Sequence, residues 1–154
     1  MTARPIYIAV IGKGVCNREE AALAEEVGEK LAKAGALLVC GGLGGTMEAA
    51  CRGAKRAGGM TIGILPGSRK SEANGFIDFA ICTGQGEARN FAIVMTADGL
   101  IALPGEFGTL SEISFALKYN KPVVSLRSWN VSERIIQVES PQEAVSRILK
   151  EVEG

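Results

Sequence analysis

The stretch Leu100 to Glu112, L-I-A-L-P-G-E-F-G-T-L-S-E, decides how this chain folds. Ile101, Ala102 and Leu103 are apolar with no polar alternation, the pattern of a strand covered on both faces. Pro104 and Gly105 stop the strand. Gly108 admits a close backbone approach, and a helix is expected from Thr109 to about Tyr119. A helix start presents unpaired N–H groups and a partial positive charge, so the junction is a ready anion site.

The same grammar repeats on either side. Ile6–Ile11 reads as an apolar strand ending in Gly12-Lys13-Gly14. Asn17 and Glu20 form a capping-box pair before a helix of 3.6-residue apolar period that ends at Gly35. Leu37–Cys40 is a second buried strand, and Gly41, Gly42, Gly44 and Gly45 lead into a helix starting near Thr46. Met60–Leu65 is the third strand, Pro66–Gly75 a polar loop, and Phe76–Cys82 a further strand. Gly84-Gln85-Gly86 introduces a helix from Arg89 to about Ala97. Val123–Leu126 and a short edge strand in Arg134–Val138 follow. Ser140, Pro141 and Glu143 mark the last helix.

Strands alternating with helices imply right-handed crossovers and a mostly parallel sheet. The fold expected is α/β: one Rossmann-like, three-layer domain over residues 1–154. In such sheets ligands bind at the carboxyl ends of the strands, near the switch point. All three glycine-bearing loops leave carboxyl ends.

Composition narrows the partners. Seventeen basic and seventeen acidic residues cancel, whereas a nucleic-acid surface normally carries a basic excess. Arg52, Lys55 and Arg56 share one helical face, read as solvated. No apolar run approaches the roughly 20 residues that span a bilayer. The lead-in M-T-A-R-P runs straight into a strand, so neither a signal peptide nor a membrane segment is expected. Cys16, Cys40, Cys51 and Cys82 show no CxxC pairing and there is no histidine. That disfavours zinc, a disulfide framework and a Ser-His or Cys-His nucleophile. Reduced, mostly buried thiols in a cytoplasmic protein are expected, with no metal and no resident cofactor. An apolar content of 47% suggests a homodimer or larger homo-oligomer.

Several nucleotide motifs are missing. The first turn, G-K-G-V-C-N, stops short of GxGxxG, and no carboxylate follows the second strand to take a ribose hydroxyl. Neither GxxxxGK[ST] nor GxSxG occurs.

What remains is G-G-L-G-G-T-M at 41–47, P-G-E-F-G-T-L-S-E at 104–112, and G-E-A-R-N at 86–90. Together these resemble the Lonely Guy family and its relatives, often labelled "lysine decarboxylase-like", whose pattern is P-G-G-x-G-T-x-x-E after an E-R-K segment. The resemblance runs from the first strand to about Leu126. Short chains of this kind also resemble the molybdenum cofactor carrier proteins, a non-hydrolytic branch. Nothing marks a pyridoxal Schiff-base lysine, so the decarboxylase label is set aside.

The resemblance implies a Rossmann-like homo-oligomer that binds a nucleoside 5′-monophosphate. Hydrolytic members cut its N-glycosidic bond. The catalytic pair falls on Arg89 and Glu112. The phosphate turn falls on Gly105, Gly108 and Thr109, helped by Gly44, Gly45 and Thr46; Gly12, Lys13, Gly42 and Pro104, in the same three loops, are further candidates for phosphate binding. Two positions depart from the pattern. Glu106 stands where the family has its second Gly, and a carboxylate there repels an anion unless it points away. Asn90 stands in place of Lys and removes a cation.

Plainer roles compete. Thr109-x-x-Glu112 also reads as a capping box, and Gly44 and Gly45 suit close helix–strand packing. Arg89 opposes the macrodipole in the first turn of its helix, which points to a ligand contact. Three functions follow. One is a binder, and hydrolase, of a phosphorylated nucleotide-like molecule. The second is a carrier of a phosphorylated pterin, and the third a ligand-sensing module. Under the hydrolytic reading, Glu112→Gln lowers turnover with little change in melting temperature.

Overall fold

Neighbouring side chains on a strand point to opposite faces, so an unbroken apolar run has to be covered twice. The computed structural model describes residues 3–154; Met1 and Thr2 of the M-T-A-R-P lead-in lie outside the described residues. In chain order the elements are β1 (Tyr7–Ile11), α1 (Arg18–Lys33), β2 (Leu37–Cys40), α2 (Thr46–Arg56), β3 (Thr61–Leu65) and β4 (Phe79–Cys82). Then come α3 (Arg89–Thr96), β5 (Gly99–Ala102), α4 (Phe107–Lys118), β6 (Val123–Leu126), β7 (Ile136–Val138) and α5 (Pro141–Glu153). Ile8, Val10, Leu38 and Ile101 pack with α1, α2 and α5 on one face. Their neighbours Ala9, Ile11, Val39 and Leu100 pack with α3 and α4 on the other.

The sheet order is β4-β3-β2-β1-β5-β6-β7. Every pairing is parallel. The chain builds outward from β1 to β4, then returns to lay β5 on the opposite side of β1, with Ile11 level with Ala102. This reversal opens a crevice between the loops after β1 and β5. No helix among the described residues is long and apolar enough to cross a membrane.

The start of α1 is closed by the expected capping box: Glu20 N–H donates to Asn17 Oδ1 at 2.8 Å and Asn17 N–H to Glu20 Oε1 at 3.0 Å. Several boundaries differ from expectation. The helix α4 begins at Phe107, not Thr109, because Leu110 N–H already bonds the Glu106 carbonyl at 3.0 Å. β4 begins at Phe79, since Asn74 Oδ1 holds Phe76 N–H in a turn at 2.9 Å. A single turn of 3-10 helix, Gly86–Ala88, precedes α3.

The cysteines are free, with Cys40 and Cys51 buried and Cys82 exposed. The basic face of α2 is paired: Arg52 with Glu25 at 3.2 Å, Arg56 with the same carboxylate, and Lys55 with Asp78 at 2.9 Å.

Two glycines without a turn signal set the packing of α1 on α2. A Cβ on Gly28 would lie 1.9 Å from the Ala50 carbonyl oxygen, and one on Gly53 would lie 1.9 Å from that of Glu25. Backbone thus meets backbone at the helix crossing. Gly28→Ala and Gly53→Ala are each expected to destabilise by about 1–3 kcal/mol, the usual cost of overpacking. Gly75→Ala is the control, because a Cβ there meets nothing within 4 Å. Chemical denaturation of the three variants checks this.

Candidate functional site

Three loops meet at the crevice. Lys13 N–H donates to the Pro104 carbonyl at 3.1 Å, and the Lys13 carbonyl accepts from Thr46 N–H at 3.1 Å. The loops after β1, β2 and β5 are thereby joined through one residue. Close contact explains most of the glycines. Gly45 has φ 64°, and a Cβ there would lie 2.4 Å from the Gly14 carbonyl oxygen. A Cβ on Gly105 would lie 2.0 Å from Thr109 Oγ1, and one on Gly12 2.6 Å from Thr46 Cγ2. On Gly42 it would lie 2.6 Å from Leu65 Cδ2, whereas Gly44 has ordinary space.

These contacts leave a cleft of about 270 Å³. Gly12, Lys13, Arg89, Gly108, Thr109 and Glu112 line it, together with Glu106 and Asn90. Gly42, Gly44, Gly45, Thr46, Pro104 and Gly105 are not in its wall; they shape the loops behind it.

Arg89 is buried under the cleft floor. Its Nε donates to the Ile64 carbonyl at 2.9 Å and its Nη2 to the Gly41 carbonyl at 3.4 Å, at the ends of β3 and β2. Nη1 donates to Asn90 Oδ1. Asn90 Nδ2 in turn donates to Ser111 Oγ at 3.2 Å, and Ser111 Oγ to the Gly108 carbonyl at 2.6 Å. The guanidinium is therefore a fixed positive charge, not a mobile arm.

Glu112 is 7% exposed. Burial pushes its carboxyl up to about 8; the Arg89 charge works against that rise without reversing it. Burial thus favours the protonated form of Glu112, whose O–H can donate into the cleft. The capping-box reading of Thr109-x-x-Glu112 is corrected here. Thr109 lies inside α4, the N-cap is Glu106, and no side chain caps this helix. The open donors are the amides ahead of Leu110, at Phe107, Gly108 and Thr109.

The start of α2 differs. Thr46 N–H is taken by Lys13, and Thr46 itself is buried. Lys13 pairs with Glu20 at 2.7 Å, which holds its ammonium pKa above the usual range, with Glu106 adding to the rise. Glu106 thus faces the same space as Lys13.

Sequence reasoning missed two contributors. Asn90 is not merely a lost lysine: its carboxamide links Arg89 to α4, a role that its place in the G-E-A-R-N segment does not announce. Glu87 reaches the cleft and raises the Glu112 pKa further.

Comparison with known proteins gives a consistent set. The SLOG cluster4 family model matches residues 5–153, beyond the Leu126 limit of the sequence resemblance. An uncharacterized protein of Archaeoglobus fulgidus is 47% identical over 141 residues, 92% of this chain and 93% of the relative. The molybdenum cofactor binding protein of Rippkaea orientalis superposes with TM-score 0.91 at 34% identity, over 99% of this chain and 100% of that one. The molybdenum cofactor carrier protein of Chlamydomonas reinhardtii gives 0.88 at 31%, over 97% and 98%.

The state of Glu112 makes stability depend on pH. Below its ordinary 4.5 both folded and unfolded chains hold the proton and nothing is lost. Between 4.5 and about 8 only the unfolded chain ionises, so stability falls as pH rises, and the loss is complete above about 8. The span corresponds to at most about 5 kcal/mol. Glu112→Gln is expected to raise the melting temperature by a margin that grows from pH 5 to pH 8. Thermal melts across that range check it. This expectation differs from the unchanged melting temperature expected from sequence, because burial raises the Glu112 pKa.

Proposed function

The chain belongs to the SLOG cluster4 family, and from that footing we propose that its cleft carries a phosphorylated pterin of the molybdenum cofactor type without transforming it. The observation that carries this reading is the buried Glu112, whose burial favours its protonated form, beside a backbone-locked Arg89. Cleavage of an N-glycosidic bond needs a carboxylate to face the cation-like sugar centre. A glutamic acid that keeps its proton at pH 7 lacks that charge. It is suited to binding instead: it does not repel phosphate, and it donates a hydrogen bond. The amides of Phe107, Gly108 and Thr109 supply further donors to an anion. The two solved relatives named above bind or carry this cofactor.

Hydrolysis of a nucleoside 5′-monophosphate is the second reading. It is favoured by the same Glu112 proton, which could pass to a departing base. Release of ribose 5-phosphate from a panel of nucleoside monophosphates separates the two. The carrier reading expects none; turnover that Glu112→Gln abolishes would replace it.

Binding should follow the Glu112 proton. An anion bound beside the carboxyl favours the protonated form, so affinity for molybdopterin is expected to fall as pH rises past about 8. Glu112→Gln should flatten that dependence. Calorimetric titration of the apoprotein at pH 7 and pH 9 tests both expectations.

We also propose that the chain self-associates. Phe91, Phe115 and Tyr119 stack edge to face on the outer surface of α3 and α4, with Phe91 and Tyr119 exposed. A two-fold interface would bury them. Sedimentation should then give a species larger than 16.1 kDa.

A further inference from the structure

A second pocket lies across the ridge formed by Pro104 and Gly105. It has a volume of about 390 Å³, opens at the carboxyl ends of β5 and β6, and shares Lys13 with the main cleft. We infer that this pocket is a second ligand subsite, which takes a nucleoside 5′-monophosphate moiety joined through its phosphate to the ligand of the main cleft. The inference rests on the carrier reading for the identity of that first ligand.

Three observations on different side chains converge here. Trp129 is held as a fixed ring: its Nε1 donates to the Glu106 carbonyl at 3.1 Å, and Phe107 lies beside it with centroids 6.1 Å apart. Bases stack on such aromatic faces with little regard to sequence. Arg127 has φ 61°, one of two non-glycine residues with positive φ among the described residues. Strained backbone of this kind collects at binding sites. Its guanidinium pairs with Glu19 at 3.2 Å, with the two side chains 57% and 81% exposed. So exposed a pair contributes little and can be exchanged for a phosphate, which binds a guanidinium in two-point fashion. Ser128 Oγ is buried in this wall and is the one such side-chain atom without a hydrogen-bond partner among the described residues. A rotation about its χ1 would bring it to a ligand oxygen, which would satisfy it.

Topology supplies the connection. In doubly wound sheets a two-part ligand lies across the switch point, one half on each side. Here the main cleft extends over β1, β2 and α3, and the second pocket lies beyond β5. The main cleft, at about 270 Å³, sits at the small end of ligand pockets, so it holds one half only. Lys13, common to both, stands where a bridging diphosphate would cross.

Trp129 is the single tryptophan of the chain, so every change in its fluorescence arises at this pocket wall, and molybdopterin alone sets the baseline for the joined form. The full chain is titrated with three probes: molybdopterin, molybdopterin joined to a nucleoside through a diphosphate, and AMP. The joined form is expected to bind at least 10-fold more tightly than molybdopterin and to change Trp129 emission. Arg127→Gln and Ser128→Val should remove that gain and leave molybdopterin affinity as it was; circular dichroism confirms their folding. Equal affinities for the two pterins, with no change in emission, overturn the second subsite and leave the carrier reading standing. If neither pterin binds but AMP saturably quenches Trp129 in an Arg127-dependent way, the subsite stands and the carrier reading falls. No response to any probe overturns both.

Discussion

The site depends on one peptide junction. Lys13 N–H reaches the Pro104 carbonyl, and the Lys13 carbonyl receives Thr46 N–H. Through these two bonds the loop after β1 is fixed to the loop after β5 and to the start of α2. Buried backbone groups have to be paired, and here the pairing closes the floor of a crevice. It also imposes small residues on the neighbours: Gly45 against Gly14, Gly12 against Thr46, Gly105 against Thr109. The glycine-rich character of these loops is thus largely a consequence of three loops meeting at van der Waals distance. A direct wrap around a ligand is not needed to explain it.

That distinction sets the limit of what could be read beforehand. The alternation of apolar runs with amphipathic helices made the parallel sheet, its two covered faces and the switch-point location legible. Local signals such as Asn17 with Glu20 were equally plain, because capping chemistry acts over three residues. The two glycine-rich helix starts, however, look equivalent in sequence and differ in the fold. At α2 the Thr46 amide is used by Lys13; at α4 the amides before Leu110 stay open. Which is which depends on a contact between residues more than thirty positions apart. Gly28 and Gly53 were silent for the same reason. Their need arises from the partner helix, and nothing in their own surroundings announces it.

The charge state of the cleft was further out of reach. Arg89 and Glu112, the catalytic pair that the resemblance implies, are joined by no salt bridge among the described residues. The arginine bonds strand-end carbonyls and Asn90, and the burial of the carboxyl raises its affinity for a proton. Proton affinity follows burial and neighbours, and both are tertiary quantities. The setting of Glu106 is tertiary too. The residue occupies a position where a glycine would be read as phosphate-binding, and it faces Lys13, whose own ammonium is already paired with Glu20.

These charges bear on how a carrier would work. The cleft offers an anion one fixed guanidinium, the positive end of α4 and a neutral acid, set against carboxylates at Glu106 and Glu87. Each added cation in so confined a space would deepen binding by kilocalories, and every 1.4 kcal/mol slows exchange by about tenfold when association is unchanged. A protein that must hand its cargo on gains nothing from that depth. Opposed charges around rigid donors give orientation, since the donors are fixed by strand ends and a helix start, while restraining affinity. A substitution such as Asn90 for lysine then has a physical sense. It removes a free cation from the wall and puts in its place a carboxamide that holds Arg89 still, so the site keeps its geometry while its net pull on an anion is reduced.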